Sequence, residues 1–315
     1  MNLPGEFKLV NDHFRPLAGP EGLNLADDAA ILTPPAGCDL VISTDAMVEH
    51  THFLNGADPA LLARKLLRVN LSDLAAMGAR PLGYLLTLCL PKTTSDDWLK
   101  EFAKGLAEDQ KIFNVRLFGG DTTSTMGPIV VSITILGAVA QGQAVRRSGA
   151  RPGDLVYVTG TIGDGALGLL AARGQISDSE GYLVGRYHLP TPRNALPIAG
   201  IASAAMDVSD GLVQDLGHIA WASKVAITLH APDVPLSLQA QCVPERLSQM
   251  LTGGDDYELV LTVPPSHQSA LREAAAKAGI VVTQIGICGS GEAEVTVLDG
   301  QSQPMSFTTP GWSHF

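Results

Sequence analysis

Basic residues and cysteines are scarce in this sequence. Lys and Arg together number 21 against 32 Asp and Glu, which gives a formal net charge of −11. So acidic a chain lacks the basic face that binding to nucleic acid or to an anionic membrane requires. The four cysteines are widely spaced and form no CxxC pair, which argues against a zinc site and against a disulfide framework. We expect buried, reduced thiols in a cytoplasmic protein.

Long apolar runs are absent as well, and we expect no leader segment. The most apolar stretch, 129–140, is too short to span a bilayer. The N-terminus, MNLPGEFKLVND, has no basic region followed by an apolar one, so we expect no signal peptide. No GxxxxGK[ST] phosphate loop occurs. Hydrophobic residues make up 45% of the 315 positions, which is enough for a substantial core. A chain of this length favours two domains.

Strands and helices are mixed along the whole chain, which predicts an α/β (α+β) protein of two α/β domains. Apolar runs predict strands at 39–45, 83–90, 115–118, 129–140, 154–160, 225–230, 258–263 and 281–286. Helical spacing predicts helices from Asp58 to about Gly78, from Ser95 to Phe113, over 164–174, from about Gly211, and over 266–279. The charged, Gly- and Pro-containing segment 145–154 predicts a junction, and hence domains 1–144 and 145–315.

A GxGxxG pattern at Gly163, Gly165 and Gly168 follows a predicted strand and opens a helix. That context is typical of a dinucleotide site, so an NAD-dependent oxidoreductase is one alternative. Against it, three residues separate the strand from the first glycine, and no acidic residue ends a following strand about 20 residues on. A tight strand-to-helix turn is the better interpretation.

The acidic residues are unevenly divided, with 21 Asp and 11 Glu. Asp favours caps and turns and is a compact, hard-oxygen metal ligand. Five segments place Asp beside small or hydroxylated neighbours, namely Asp27-Asp28-Ala-Ala, Ser43-Thr44-Asp45, Asn70-Leu-Ser72-Asp73, Gly119-Gly120-Asp121-Thr-Thr and Asp207-Val-Ser209-Asp210-Gly211. Each aspartate alone could simply cap a helix.

Two details favour a shared cation. Asp45 and Asp121 both follow predicted strands, and ligands bind at the carboxyl ends of strands in α/β sheets. Asp73 lies in an otherwise apolar helical stretch, where an unpaired buried carboxylate would cost several kcal/mol. Converging carboxylate and hydroxyl oxygens suit Mg²⁺, which commonly accompanies phosphates.

The motifs DDAA, STD, VNLSDLAAMGARP, FGGDTT, RSGARPGD, DVSDGLVQDLGHIA and GGDDYEL together resemble the thiamine-monophosphate kinases over nearly the whole chain. That family belongs to the ATP-binding superfamily that also contains aminoimidazole ribonucleotide synthetase, selenophosphate synthetase and a hydrogenase maturation factor. The resemblance implies direct transfer of the ATP γ-phosphoryl group to thiamine monophosphate, with several Mg²⁺ ions in a cleft between two domains. It also implies a homodimer in which the N-terminal sheets pack into a β-barrel.

The resemblance also assigns roles to residues. The implied metal ligands are Asp28, Ser43, Thr44, Asp45, Asp73, Asp121, Asp207 and Asp210, of which Asp45, Asp121 and Asp210 are the implied catalytic residues. The implied ATP-binding residues are Asp27, Gly120, Asp121, Arg147 and Ser209, and the implied substrate residues are His52, Asp255 and Trp312. One residue departs from the family's GGEDYEL pattern, because Asp255 stands where the family has Glu.

Other members of the superfamily fit less well. Selenophosphate synthesis needs a reactive Cys near the N-terminus, and Cys38 lies outside any such motif. The hydrogenase factor ends in a catalytic Cys, which the terminal SHF lacks. A purine-synthesis role fits DVSDGL and GGDDYEL poorly. A non-enzymatic Mg-nucleotide sensor is a further alternative, although every acidic ligand position is occupied.

Overall fold

The computed structural model describes residues 8–313, which form two units. The first unit contains the chain up to Leu74 together with Arg80–Gln141, and the second contains Ala75–Ala79 and the chain from Gly142 onward. The expectations that rest on the first seven residues and on the last two lie outside the described residues. None of the described helices combines the length and the hydropathy needed to cross a bilayer.

The first unit is built on a four-stranded sheet in the order β1-β4-β2-β3. Its elements are β1 (Cys38–Val48), α1 (Pro59–Ala76), β2 (Arg80–Pro91), α2 (Asp96–Phe113), β3 (Arg116–Thr125) and β4 (Val130–Ala140), preceded by three short non-α turns between Val10 and Leu25. β2 and β3 run parallel, whereas β4 is antiparallel to both β1 and β2. The sheet is open, so a closed barrel is not found within the described part of one chain.

Helix α1 begins where the sequence predicts. The Asp58 carboxylate accepts hydrogen bonds from the backbone N–H groups of Ala60 and Leu61, which is the pattern of an N-cap. Leu66, Leu67, Leu71 and Leu74 of this helix are fully buried. α1 therefore contributes one side of the core of the first unit, and its polar residues Asn70 and Asp73 are hydrogen-bonded to β1.

The second unit is built on a six-stranded sheet in the order β10-β7-β9-β5-β8-β6. Its strands are β5 (Leu155–Thr159), β6 (Ala204–Asp207), β7 (Ala226–His230), β8 (Leu259–Val263), β9 (Val282–Gly289) and β10 (Val295–Leu298). Its helices are α3 (Asp164–Ala172), α4 (Tyr182–His188), α5 (Leu212–Ser223), α6 (Leu238–Gln241), α7 (Leu247–Thr252) and α8 (Gln268–Ala278). Only the β10–β7 pair is parallel. The predicted mixed α/β class with two sheets is confirmed.

Two strands run further than the sequence predicts. The strand expected over 115–118 extends through GGDTT to Thr125, and the strand expected over 39–45 continues to Val48. Threonine and other β-branched residues suit an extended, half-buried surface, and the partner strands β2 and β4 continue alongside them. Asp45 and Asp121 therefore lie inside strands, and the prediction that they follow strand ends or cap helices was wrong.

Candidate active site

Three polar groups converge where β1 meets α1. Alternation along β1 places Ser43 and Asp45 on the face that also carries the buried Val41 and Met47. The Ser43 hydroxyl donates to an Asp73 carboxylate oxygen at 2.5 Å. The Ser43 hydroxyl is thus a hydrogen-bond partner for the Asp73 carboxylate, which lies in an otherwise apolar stretch of α1.

A buried amide fixes the backbone at Asp45. The Asn70 side-chain carbonyl accepts the Asp45 N–H at 3.1 Å, and its amide nitrogen donates to the Leu66 carbonyl at 2.9 Å. From the neighbouring strand β4, the Ser132 hydroxyl donates to the Asp45 carbonyl at 2.9 Å. The backbone position of Asp45 is therefore held by groups other than its own carboxylate.

Thr44 points away from this cluster. Its hydroxyl donates to the Ile133 carbonyl at 3.0 Å and accepts from the Thr134 hydroxyl at 3.1 Å, on the open face of the sheet. The side chain that the resemblance implies as a metal ligand thus lies on the face opposite Ser43 and Asp45. Thr44 could offer only its backbone carbonyl to an ion held by those two residues.

His52 is held in a turn just beyond β1. The Val48 N–H donates to His52 Nδ1 at 2.9 Å, and the His52 N–H donates to the Val48 carbonyl at 2.9 Å. Because Nδ1 accepts, the proton of the neutral ring sits on Nε2. His52 can therefore present an N–H donor to a ligand from a fixed ring.

Asp121 does not lie with Asp45. Strand pairing aligns Asp45 with Ile133, Leu86 and Gly120 in a row that includes buried side chains, whereas Asp121 belongs to the next row, on the open face. The two aspartates are also three strand spacings apart, about 14 Å across the sheet. Within one chain they cannot ligate the same ion.

The edge strand β3 has its own polar surroundings. A Cβ at Gly120 would lie 1.8 Å from the Leu86 carbonyl oxygen, so this glycine is required by the neighbouring strand itself. The preceding segment from Gly19 packs along β3, where the Gly19 N–H donates to the Leu117 carbonyl at 2.8 Å. Asp27 and Asp28 lie exposed in the bend that follows this segment.

In the second unit, the DVSDGL and GGDDYEL motifs pack against each other. The Asp255 N–H donates to the Ser209 carbonyl at 2.9 Å, and the Tyr257 N–H donates to the Val208 carbonyl at 2.8 Å. A Cβ at Gly254 would lie 2.1 Å from the Ser209 carbonyl oxygen, so only glycine allows this approach. Asp207, at the end of β6, and the residues Ser209, Asp210 and Asp255 are thereby brought onto adjoining loops.

Asp215, which was not among the predicted site residues, organises the first of these loops. One of its carboxylate oxygens accepts the backbone N–H groups of Ser209, Asp210 and Gly211 at 3.0–3.2 Å. Helix α5 has no side-chain N-cap, so the predicted capping by Asp207 or Asp210 is replaced by a residue inside the helix. Asp215 is fully buried, and burial raises its pKa to about 7. Ligand atoms of Asp210, Asp215 and His218 lie within 4.8 Å of one another.

The remaining implied contacts lie on the surface of the second unit. The Trp312 N–H donates to the Asp210 carbonyl at 3.0 Å, and the Trp312 side chain is 42% exposed. Arg147 is exposed, and its carbonyl accepts from the Ser223 hydroxyl, which also binds the backbone N–H groups of Gly149 and Ala150. The structure thus fixes the backbone of both residues and leaves their side chains accessible.

The GxGxxG turn is filled by the protein's own carboxylate. Asp256, which is 1% exposed, accepts the Gly163 N–H at 2.7 Å and the Gly165 N–H at 2.8 Å. These are the donors that a dinucleotide pyrophosphate would otherwise take at a helix N-terminus. In addition, β5 lies between antiparallel neighbours rather than in a parallel sheet. The GxGxxG segment is therefore a tight turn, as predicted, and it does not support the alternative of an NAD-dependent oxidoreductase.

The buried Asp256 predicts a pH dependence of stability. Burial raises its pKa from 3.8 to about 8, although its two backbone hydrogen bonds act in the opposite direction. The folded chain therefore keeps a proton that the unfolded chain releases, and the free energy of unfolding should fall as pH rises between these values. Urea denaturation across this window checks the slope. Asp256→Asn should make the slope shallower, and the remainder is expected from Asp215, whose pKa burial also raises. An unchanged slope in the variant would contradict the assignment.

Comparisons with known proteins identify two domains and a family. Residues 26–139 match the N-terminal domain model of AIR synthase related proteins, and residues 151–299 match the C-terminal domain model. The thiamine-monophosphate kinase of Caulobacter vibrioides is 45% identical, over 99% of this chain and 91% of the relative. The enzyme of the same name from Escherichia coli O157:H7 is 41% identical, over 99% and 98% of the two chains.

Solved structures give the same result. A thiamine-monophosphate kinase from Stenotrophomonas maltophilia superposes with a TM-score of 0.80 at 39% identity, covering 87% of this chain and 89% of that one. A structure described as AaThiL complexed with AMPPCP and TMP gives a TM-score of 0.78 at 30% identity, covering 100% and 99%. With both domains matched and relatives of this identity aligned end to end, the chain belongs to the thiamine-monophosphate kinase family of AIR synthase related proteins.

Proposed function

We propose that this chain phosphorylates thiamine monophosphate with ATP to give thiamine diphosphate and ADP. A terminal phosphate oxygen of thiamine monophosphate forms a bond to the γ-phosphorus, and the bond from that phosphorus to the bridging oxygen of ADP breaks. The observation that carries this proposal is the end-to-end similarity to enzymes named thiamine-monophosphate kinase, at 41–45% identity. The similar structure described as complexed with AMPPCP and TMP supports both substrates.

The donor groups suit Mg²⁺. The polar side chains at β1 and α1 offer carboxylate and hydroxyl oxygens, and the same holds for Asp207 and Asp210 in the second unit. Oxygen-only sites of this kind favour hard divalent cations. Mg²⁺ held by such groups would supply positive charge that neutralises phosphate oxygens during transfer. We propose that several such ions would be held by the side chains of Asp28, Ser43, Asp45, Asp73, Asp121, Asp207 and Asp210, with Thr44 contributing its carbonyl.

The chain's own groups would orient the two substrates. Phosphoryl transfer needs in-line positioning and little covalent help, so fixed donors matter more than a nucleophile. Gly120, Ser209 and Arg147 are proposed to hold ATP with Asp27 beside them, and the exposed guanidinium of Arg147 suits phosphate oxygens. His52 would present its Nε2 proton to thiamine monophosphate.

Asp255 is suited to its backbone conformation. Its φ is +72°, a left-handed region that Asp and Asn enter more readily than longer residues. That preference gives a physical reason for Asp where the family has Glu. The proposed contact of Asp255 with the substrate would then be reached with one methylene fewer or through a water molecule.

We also propose a cytoplasmic homodimer in which Asp121 serves the partner's site. Asp45 and Asp121 lie on opposite faces and at opposite edges of one sheet, so a complete metal set requires a second source for one of them. The open face of the sheet exposes Ile42 (62%), Leu40 (37%) and Leu85 (38%), an apolar surface that a second sheet would cover. Packing of two such sheets is the proposed barrel.

Mixing two inactive variants tests the shared site. In a heterodimer of Asp45→Asn and Asp121→Asn subunits, one site would contain both lesions and the other would contain neither. Random exchange of subunits should therefore restore about a quarter of wild-type activity, given one isologous interface. Subunits are exchanged by denaturing and refolding the mixed variants together. Each variant denatured and refolded alone is the control. No recovery in verified heterodimers would place both residues in one chain's site.

A further inference from the structure

One side chain in the first turn of α5 contacts two parts of the proposed site. The Gln214 amide nitrogen donates to the Trp312 carbonyl at 2.7 Å and to a carboxylate oxygen of Asp210 at 3.3 Å. Asp210 is a proposed metal ligand, and Trp312 is the proposed aromatic contact of the substrate. The Gln214 amide thus links the proposed metal ligand Asp210 to the C-terminal segment that carries Trp312.

The tail that carries Trp312 is seated against the same side chain. A Cβ at Gly311 would lie 2.5 Å from Gln214 Cβ and 2.6 Å from its amide oxygen, so only glycine lets the tail approach this closely. The Trp312 N–H donates to the Asp210 carbonyl at 3.0 Å. Of the hydrogen bonds that join the tail to the Asp210 loop and α5, the one to the Trp312 carbonyl depends on Gln214.

The Asp210 loop, to which Gln214 is also bonded, is held in place by Asp215. Asp215 binds three successive N–H groups of the loop that contains Asp210, and Asp215 itself is fully buried. Gln214 therefore anchors the tail to a fixed point. The Trp312 ring remains 42% exposed and can receive a flat cationic ring, to which an indole is attracted.

We propose that Gln214 is a positioning residue that holds Trp312 over the substrate pocket and thereby sets the affinity for thiamine monophosphate. The proposal rests on the proposed function, since it takes Trp312 as the substrate contact. Gln214 acts through the tail and has no proposed contact with ATP. Its removal should therefore weaken one substrate selectively.

Steady-state kinetics provide the first test. Gln214→Ala removes the amide and with it the 2.7 Å hydrogen bond to the Trp312 carbonyl. It should raise KM for thiamine monophosphate about tenfold, the effect of losing a hydrogen bond of ordinary strength. KM for ATP should stay within about twofold, because Asp210 loses only the longer 3.3 Å contact while Asp215 still holds its loop. Gly311→Ala should act in the same direction by displacing Gln214. Gln241→Ala, which removes an exposed glutamine bonded to the Leu236 carbonyl, is the matched control.

Fluorescence tests the tail without relying on turnover. In a Trp98→Phe, Trp221→Phe background, Trp312 is the single tryptophan, and Gln214→Ala should increase its quenching by acrylamide relative to Gln214 in the same background. Unchanged quenching, or equal changes in both KM values, would overturn the proposal. A wild-type chain that does not turn over thiamine monophosphate would instead refute the proposed function, and quenching would still report whether Gln214 holds the tail.

Discussion

Asp45→Asn should lower kcat/KM for MgATP-dependent phosphorylation by about 10²–10³-fold while the fold survives. The substitution removes a charge that would hold Mg²⁺ against the phosphates, and electrostatic groups of this kind contribute about that much to catalysis. The fold should survive because Asn70 and Ser132 hold the backbone at Asp45 through its N–H and carbonyl groups, which the substitution keeps. Initial rates over a Mg²⁺ titration, together with the melting temperature, measure both parts of the expectation.

A control exists on the same strand. Asp39 lies on β1 in phase with Asp45 but outside the proposed ligand set, so Asp39→Asn should keep near-normal activity. If Asp45→Asn also kept near-normal activity, the assignment of metal to the β1–α1 cluster would be wrong. If it unfolded the chain, activity would have to be judged on Ser43→Ala, which removes a neutral group from the same cluster.

Glu258→Ala should destabilise the second unit by about 3–5 kcal/mol, the usual cost of breaking a buried ion pair by removing one partner. Glu258 is fully buried, and its carboxylate accepts from Arg186 at 3.0 Å, from the Thr159 hydroxyl at 2.7 Å and from Arg193. Its loss leaves two guanidinium groups, at 14% and 16% side-chain exposure, without their shared counter-charge. Chemical denaturation monitored by circular dichroism measures the change.

The matched control is an exposed ion pair. Glu273 and Lys277 form an i,i+4 pair on α8, where both side chains are more than two-thirds exposed, so Glu273→Ala should leave stability within error. Similar losses in Glu258→Ala and Glu273→Ala would mean that the buried network contributes little. The glutamate of GGDDYEL would then need a role other than holding the strand and the arginines together.

Much of the fold follows from local pattern in the sequence. Apolar periodicity and the Asp58 cap predict α1 well, and runs such as 129–140 and 258–263 agree closely with β4 and β8. Strand ends were less predictable, because pairing with neighbouring strands decides where a polar segment such as GGDTT stops being extended. The prediction therefore placed Asp121 after the end of a strand, whereas it lies in the middle of the edge strand β3.

The candidate site was also only partly predictable from the sequence. Residue type and spacing single out Ser43, Asp45 and Asp73, which the structure brings together. Sequence could not show that Thr44 and Asp121 face the other side of the sheet, since that depends on register. It also could not show which carboxylates serve the protein's own backbone. Asp215 and Asp256 are buried carboxylates that accept backbone N–H groups. The only sequence signals for them were an Asp in the first turn of a helix and a second Asp beside Asp255.

Incubation of the purified chain with MgATP and thiamine monophosphate, with the products followed by ³¹P NMR, tests the proposed reaction itself. We expect thiamine diphosphate and ADP in equal amounts, and no product when Mg²⁺ is chelated. Absence of thiamine diphosphate from intact, folded protein, together with turnover of another substrate of the superfamily, would contradict it.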